Sequence, residues 1–164
     1  MSTAIPYSQF VGDRDPYEIL ASTPRRLAEL TANLPGEQLS APIAPGKWSI
    51  HQIIAHLADG ELVANFRFRM LLFEEAPLLA AYDQDRWMAG WMRENEPLPA
   101  TLERFRLLRE STLRALRHAP VSDRKRSGTH AERGPVTAED YAITLAGHDL
   151  NHLVQLERLG AAGG

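Results

Sequence analysis

Ser49-Ile50-His51-Gln52-Ile53-Ile54-Ala55-His56-Leu57-Ala58-Asp59 opens the segment on which the fold turns. Serine is a preferred helix N-cap, and behind it Ile50, Ile53, Ile54, Leu57, Leu62, Phe66, Met70 and Leu71 recur at the helical period as far as Phe73. The pattern predicts one long amphipathic helix of about 25 residues.

Three further segments, reached by working outward, carry the same period. Upstream, Tyr17, Leu20, Leu27, Leu30 and Leu34 place a first helix from Pro16 to Leu34, stopped by Pro35-Gly36. Within it, Pro24 either kinks a continuous helix or follows Thr23 as the N-cap of a fresh one. Downstream, Pro99 opens a third helix that reaches His118 and ends at Pro120. Thr137, followed by Ala138, Glu139 and Asp140, opens the last helix with acids where the macrodipole favours them; it runs to Leu159 and Gly160 closes it. No run shows sustained alternation of period two. The fold class is therefore all-α, an up-and-down four-helix bundle with a short extra helix in the second connection, where Tyr82-Asp83-Gln84-Asp85-Arg86-Trp87 leads on to Trp91. Ser122 to Pro135 reads as an exposed polar loop. A single domain is expected over residues 1–164, with 1–14 as an N-terminal arm and 160–164 as a flexible tail.

The chain has 164 residues, 18 Lys and Arg against 21 Asp and Glu for a net charge of −3, six His and no Cys. This length suits one domain with a substantial core. Without cysteine there is no disulfide, thiolate ligand or cysteine nucleophile, so any metal site draws on His, Asp, Glu and water. Met1-Ser2-Thr3-Ala4-Ile5-Pro6 lacks the basic and apolar regions of a signal peptide, and no apolar run approaches the roughly 18 residues of a membrane span. A cytoplasmic protein with no membrane partner is expected. The acidic balance also argues against general nucleic-acid affinity. Arg104, Arg106, Arg109, Arg114, Arg117, Arg124, Lys125 and Arg126 form one basic stretch, but Leu102, Phe105, Leu108, Leu113 and Leu116 interleave with it. That pattern reads as the solvated face of the third helix.

His148-Asp149-Leu150-Asn151-His152 on the last helix puts two imidazoles four residues apart on one face, where they can share a metal ion. Asn151 and Gln155 extend the polar strip. His56 is the other histidine well placed inside a long amphipathic helix, and read alone it could equally be a hydrogen-bonded core residue. Together His56, His148 and His152 supply three nitrogen ligands and leave positions open, the ligand count of a catalytic rather than a structural site. His51 lies about 140° from His56 around the helix and so falls outside this set. His118 reads as a cation at a helix C-terminus. Gly60, one turn beyond His56, leaves room beside an ion. Arg67 falls on the same stripe some 16 Å along the axis; it either holds an anionic end of a substrate or makes a salt bridge or faces solvent. Asp59 and Asp149 are either acceptors that orient an imidazole or surface acids. Trp48, Tyr82 and Trp87 could wall the site or belong to the core.

The stretch from Pro45-Gly46-Lys47-Trp48-Ser49 through His56-Leu57-Ala58-Asp59, with Gly147-His148-Asp149-Leu150-Asn151-His152-Leu153-Val154-Gln155-Leu156, resembles the two motif helices of the DinB-like superfamily. Arg67-Phe68-Arg69, the Tyr82 to Trp87 stretch and the loop Thr129-His130-Ala131-Glu132-Arg133-Gly134 are similar to its YfiT-type subgroup of metal-dependent hydrolases, which is related to bacillithiol S-transferases. The resemblance implies a four-helix bundle, a divalent metal on His56, His148 and His152, nickel or zinc as that metal, and a homodimer. Imidazoles alone do not choose among nickel, zinc, manganese and iron. Asp59, Arg67 and His130 are the candidate catalytic residues; Ala131 stands where the family has a proline after the histidine. The expected substrate is a small molecule. A metal-dependent enzyme would activate water, as a hydrolase, or a low-molecular-weight thiol that attacks an electrophile, as an S-transferase. The alternative is a non-catalytic, stress-associated metal-binding bundle.

Overall fold

The computed structural model describes residues 4–162. Helix α1 (Ser8–Val11) precedes α2 (Pro16–Thr31), the short α3 (Gly36–Ser40) and the long α4 (Ile50–Phe73). Strand β1 (Leu78–Leu79), α5 (Gln84–Glu94), α6 (Leu98–His118) and α7 (Val121–Arg124) follow, then β2 (Ser127–His130), β3 (Gly134–Thr137) and α8 (Ala138–Ala162). Helices α2, α4, α6 and α8 are the four expected from the apolar period, and α5 is the expected extra helix in the second connection.

Local chemistry explains the ends of these helices. Ser49 and Gln52 form a capping box: the Ser49 N–H donates to Gln52 Oε1 at 2.8 Å and the Gln52 N–H to Ser49 Oγ at 3.2 Å. Thr137 Oγ1 donates to Asp140 Oδ2 at 2.7 Å and accepts from the Asp140 N–H at 3.1 Å, which opens α8. That helix runs through Gly160 to Ala162, so the expected tail is helical to that point and 163–164 lie outside the described residues. Of the expected N-terminal arm, 1–3 lie outside the described residues and the remainder carries α1, seated against α8.

Pro24 lies inside a continuous α2, which ends at Thr31 rather than Leu34. Thr23 does not cap a new helix; its hydroxyl donates back to the Ile19 carbonyl at 2.9 Å. A proline has no N–H for the carbonyl four residues earlier, here that of Leu20. That carbonyl instead accepts from Arg109 Nη1 of α6 at 2.9 Å.

Cross-helix bonds give the directions of the bundle. His51 meets Thr101, Asp59 meets Arg104, Asn65 meets the Leu108 carbonyl and Arg69 meets Ser111, so α4 and α6 run parallel. Arg26 pairs with Glu157, and Arg109 joins Leu20 to Asp149 one level away, so α2 and α8 are also parallel. His56 with His148 and Arg67 with Tyr141 make α4 and α8 antiparallel. The expected alternation is thereby refined to up, down, down, up. The connection from α4 to α6 must return along the length of the bundle, and β1 and α5 lie on that return. Leu20, Leu27, Ile53, Ile54, Phe68, Phe105, Leu116 and Leu153 fill the interior and are fully buried. Among the described residues no helix is long and apolar enough to cross a membrane.

The expected exposed loop from Ser122 to Pro135 is instead α7 and a hairpin. Strand β2 pairs antiparallel with β3, Ser127 opposite Thr137 and His130 opposite Gly134, and parallel with β1, Leu79 opposite His130. Along β2, Gly128 and His130 face inward while Ser127 and Thr129 face out. The period-two signal rests on apolar inward residues, and a glycine and a histidine supply none. Only glycine fits at 128, where a Cβ would lie 2.9 Å from both Leu71 and Pro77.

Candidate metal centre

His56 comes from the second turn of α4, and His148 and His152 from successive turns of α8, the helix that runs antiparallel to it. Their rings meet in the interior. Ring centroids are 5.1 Å apart for His56 with His148, 5.1 Å for His56 with His152 and 4.6 Å for His148 with His152. The ligand-capable nitrogens all lie within 4.8 Å of one another, and the Nε2 atoms of His56 and His148 are 3.1 Å apart. Two nitrogens that each bind one ion at about 2.1 Å stand roughly 3.0–3.4 Å apart for angles between octahedral and tetrahedral. The His56–His148 separation therefore fits ligation of one small divalent cation, and His152 supplies a third nitrogen within 4.8 Å of both.

Burial keeps these imidazoles neutral, which leaves lone pairs available as ligands. Desolvation, reinforced by the charge of His152, lowers the pKa of His56 to about 4. Desolvation also lowers His152 and takes His148 well below its ordinary value. The ring of Trp48 packs on His56 at 5.0 Å and the edge of Tyr7 meets His148 at 5.5 Å. His152 Nδ1 is 3.2 Å from Gln155 Oε1, a contact that fixes which nitrogen faces inward.

The other sequence candidates fall at different distances from this cluster. Asp59 is held by Arg104 at 2.9 Å, and Arg104 also binds Glu96 at 2.9 Å. Asp149 is buried and binds Arg109 Nη1 at 2.7 Å. Arg109, expected on the solvated face of the third helix, is itself 1% exposed and reaches Glu61 at 2.8 Å, whose other oxygen accepts from Thr112 at 2.6 Å. The helical wheel carries the signal that places it: Phe105, Arg109, Thr112, Leu113 and Leu116 share the buried stripe. His51 is outside the cluster, beside Thr101 and Trp91, as the wheel requires.

Arg67 does face the site. It is 6% exposed and donates from Nη1 to the Tyr141 hydroxyl at 3.1 Å and from Nη2 to the Ala80 carbonyl. A cavity of about 130 Å³ joins His56 and His148 to Gly60, Arg67, Tyr82 and Arg133. Tyr82 leans over Gly60, where a Cβ would stand 3.8 Å from its hydroxyl, and burial pushes its pKa up to about 12. Trp87 packs on Tyr82 at 4.9 Å. His130 is buried but lies outside the three-histidine group; it lines a groove of about 660 Å³ that shares Arg133, Tyr141 and Thr144 with the inner cavity. Burial and the charges of Arg67 and Arg133 lower its pKa. At the departure from the family's loop pattern, the Ala131 N–H donates to the Leu79 carbonyl at 3.0 Å, a bond no proline could make. Sequence reasoning missed Tyr7 and Tyr141. Tyr141 stands seven residues before His148 on the same helix face, so the wheel could have found it; Tyr7 arrives from a separate segment and left no such mark.

Fold and cluster together define a helical-bundle protein with an interior three-imidazole centre. The chain belongs to the DinB superfamily, whose profile matches residues 19–156. A protein of Bacillus pumilus named "Putative metal-dependent hydrolase" is 30% identical over 144 residues, 85% of this chain and 80% of that one. A relative of the same designation from Oceanobacillus iheyensis is 29% identical over 136 residues, 83% of this chain and 78% of its own. The solved structure of YfiT from Bacillus subtilis, a four-helix bundle of unusual topology, matches with a TM-score of 0.84 at 23% identity, over 91% of this chain and 86% of that one. The relatives and the three-histidine group together support a divalent metal ion.

Proposed function

We propose that this protein is a metal-dependent hydrolase whose divalent ion is held by His56, His148 and His152, with transfer of a low-molecular-weight thiol to an electrophile as the alternative reaction of the same site. The observation that carries the reading is the 3.1 Å approach of the His56 and His148 Nε2 atoms inside a cluster of one buried and two half-buried imidazoles, all three held below their ordinary pKa by desolvation. Three protein ligands leave positions open, and an ion there lowers the pKa of a water or thiol so that a nucleophile exists at neutral pH. Since the chain has no cysteine, any thiol comes from the substrate side. Nickel or zinc is the ion the family resemblance favours; the three imidazoles themselves admit manganese and iron as well. Trp48 packs on His56, Tyr82 lines the cavity beside it, and Gln155 orients His152. His130, which lines the outer groove, would take a proton from substrate there. The functional unit is taken as a homodimer, for which the exposed apolar residues Leu62 and Phe66 of α4 beside Trp87 offer a face.

Elemental analysis of the purified protein tests the centre directly. About one divalent ion per chain is expected in wild type, and its loss in His56→Ala and His152→Ala. Unchanged metal content in both variants would sink the three-histidine assignment. A panel of small esters and amides beside a panel of thiols with electrophiles then separates the two reactions. Metal that is bound and lost as expected, with no turnover on either panel, identifies a non-catalytic metal-binding bundle instead.

A further inference from the structure

Arg67 is a buried cation without a counter-ion. The residue is 6% exposed, yet its two hydrogen-bond acceptors, the Tyr141 hydroxyl and the Ala80 carbonyl, are both neutral, and no carboxylate lies within ion-pair distance among the described residues. Elsewhere the fold treats buried or half-buried arginines differently. Arg109 sits between Glu61 and Asp149, and Arg104 between Asp59 and Glu96. An isolated charge taken out of water is strongly unfavourable unless something pairs with it.

A second unpaired arginine shares the cavity. Arg133 projects from the β2–β3 turn onto the same wall and, like Arg67, has no carboxylate partner among the described residues. The described lining of the inner cavity contains Arg67, Arg133, Tyr82, Tyr141, Gln84 and Thr144 beside the histidines, and no aspartate or glutamate. The carboxylates nearest in kind, Glu132 and Asp140, line the outer groove, and Asp140 is already engaged by Thr137. A guanidinium has five N–H donors, and among the described residues Arg67 directs two to acceptors. The rest suit the forked recognition of an oxyanion.

We infer that Arg67 and Arg133, with the Tyr82 hydroxyl, form an oxyanion-binding subsite beside the histidine cluster, and that the substrate carries a carboxylate or phosphate group. That the anion belongs to a substrate rests on the metal-dependent reading; the subsite itself stands on the unpaired arginines. The anionic end lies in the inner cavity, and the rest of the molecule extends past Tyr141 and Thr144 into the outer groove, whose walls include Ile5, Pro6, Pro135 and Val136. Two positive charges there also hold the anion near the ion's open positions and keep the reacting end oriented.

Isothermal titration of the metal-loaded full-length protein with succinate and, in a separate arm, with inorganic phosphate reads the subsite without needing turnover. The metal content of the same sample is measured alongside. Saturable binding of at least one probe is expected, weakened tenfold or more in both Arg67→Gln and Arg133→Gln with metal content unchanged. The probe that binds more tightly assigns the group. Arg133 is exposed, so its replacement keeps the measurement meaningful if Arg67→Gln fails to fold. Absence of saturable binding by either probe, or equal binding in wild type and Arg133→Gln, overturns the subsite and leaves the metal centre standing. Anion binding that depends on the arginines in a protein that holds no metal overturns the metal centre and leaves the subsite standing.

Discussion

The guanidinium of Arg109 is enclosed by Glu61, Asp149 and the Leu20 carbonyl, with Thr112 satisfying the far oxygen of Glu61. Burial raises the pKa of Glu61 against the pull of this arginine. Breaking such a group from one side leaves uncompensated buried charge, which costs about 3–5 kcal/mol. Arg109→Met should lower stability in a urea titration by that amount, while Arg114→Met on the exposed side of the same helix should change it by less than about 0.5 kcal/mol. The histidines give a second residue-scale expectation. Their folded pKa values lie below the ordinary 6.5, His56 at about 4, so the metal-free protein has its full contribution from them above pH 6.5 and loses it as pH falls toward 4. Denaturation midpoints of chelator-treated protein should drop between pH 7 and pH 5, and a flat profile would contradict the burial of the neutral rings. At this scale the three histidines were legible because a pair four residues apart must share a helix face. The role of Arg109 was not, because charge alone says solvent and only its stripe says interior.

Helix α2 offers a test of how one element compensates another. Replacing a proline inside a helix normally restores a backbone bond and gains up to about 3 kcal/mol. Pro24→Ala should gain clearly less, because the Leu20 carbonyl already accepts from Arg109; a full gain in the denaturation free energy would show that bond to be unimportant. The segment before α1 meets α8 at Gly147, where any Cβ would collide with the Tyr7 carbonyl, and Tyr7 holds a left-handed φ of 61°. Gly147→Ala should therefore detach this segment and raise amide exchange in residues 5–11, with α8 itself still protected. The four long helices were readable from apolar spacing and from caps such as Ser49. The sheet was not, since β1 has only two residues and β2, whose inward positions are Gly128 and His130, carries no hydrophobic alternation.

For the whole molecule, apolar spacing predicts four helices but says nothing about which neighbours each will have, because that depends on the connections. Leu62 and Phe66 are 45% and 63% exposed on the outer face of α4, next to Trp87, which suits a partner surface. With the proposed homodimer, light scattering should give twice the chain mass for wild type and a shift toward monomer for Phe66→Glu; a monomeric wild type would remove that proposal. The parallel course of α4 and α6 has a separate consequence. Since the chain must travel back along the bundle between them, it lays Tyr82 and α5 over the cavity that the helices leave open. Part of the cavity wall, Tyr82 and Gln84, thus comes from a stretch of sequence separate from the helices that carry the histidines, so substitutions there can reshape the cavity while the ligand geometry stays untouched.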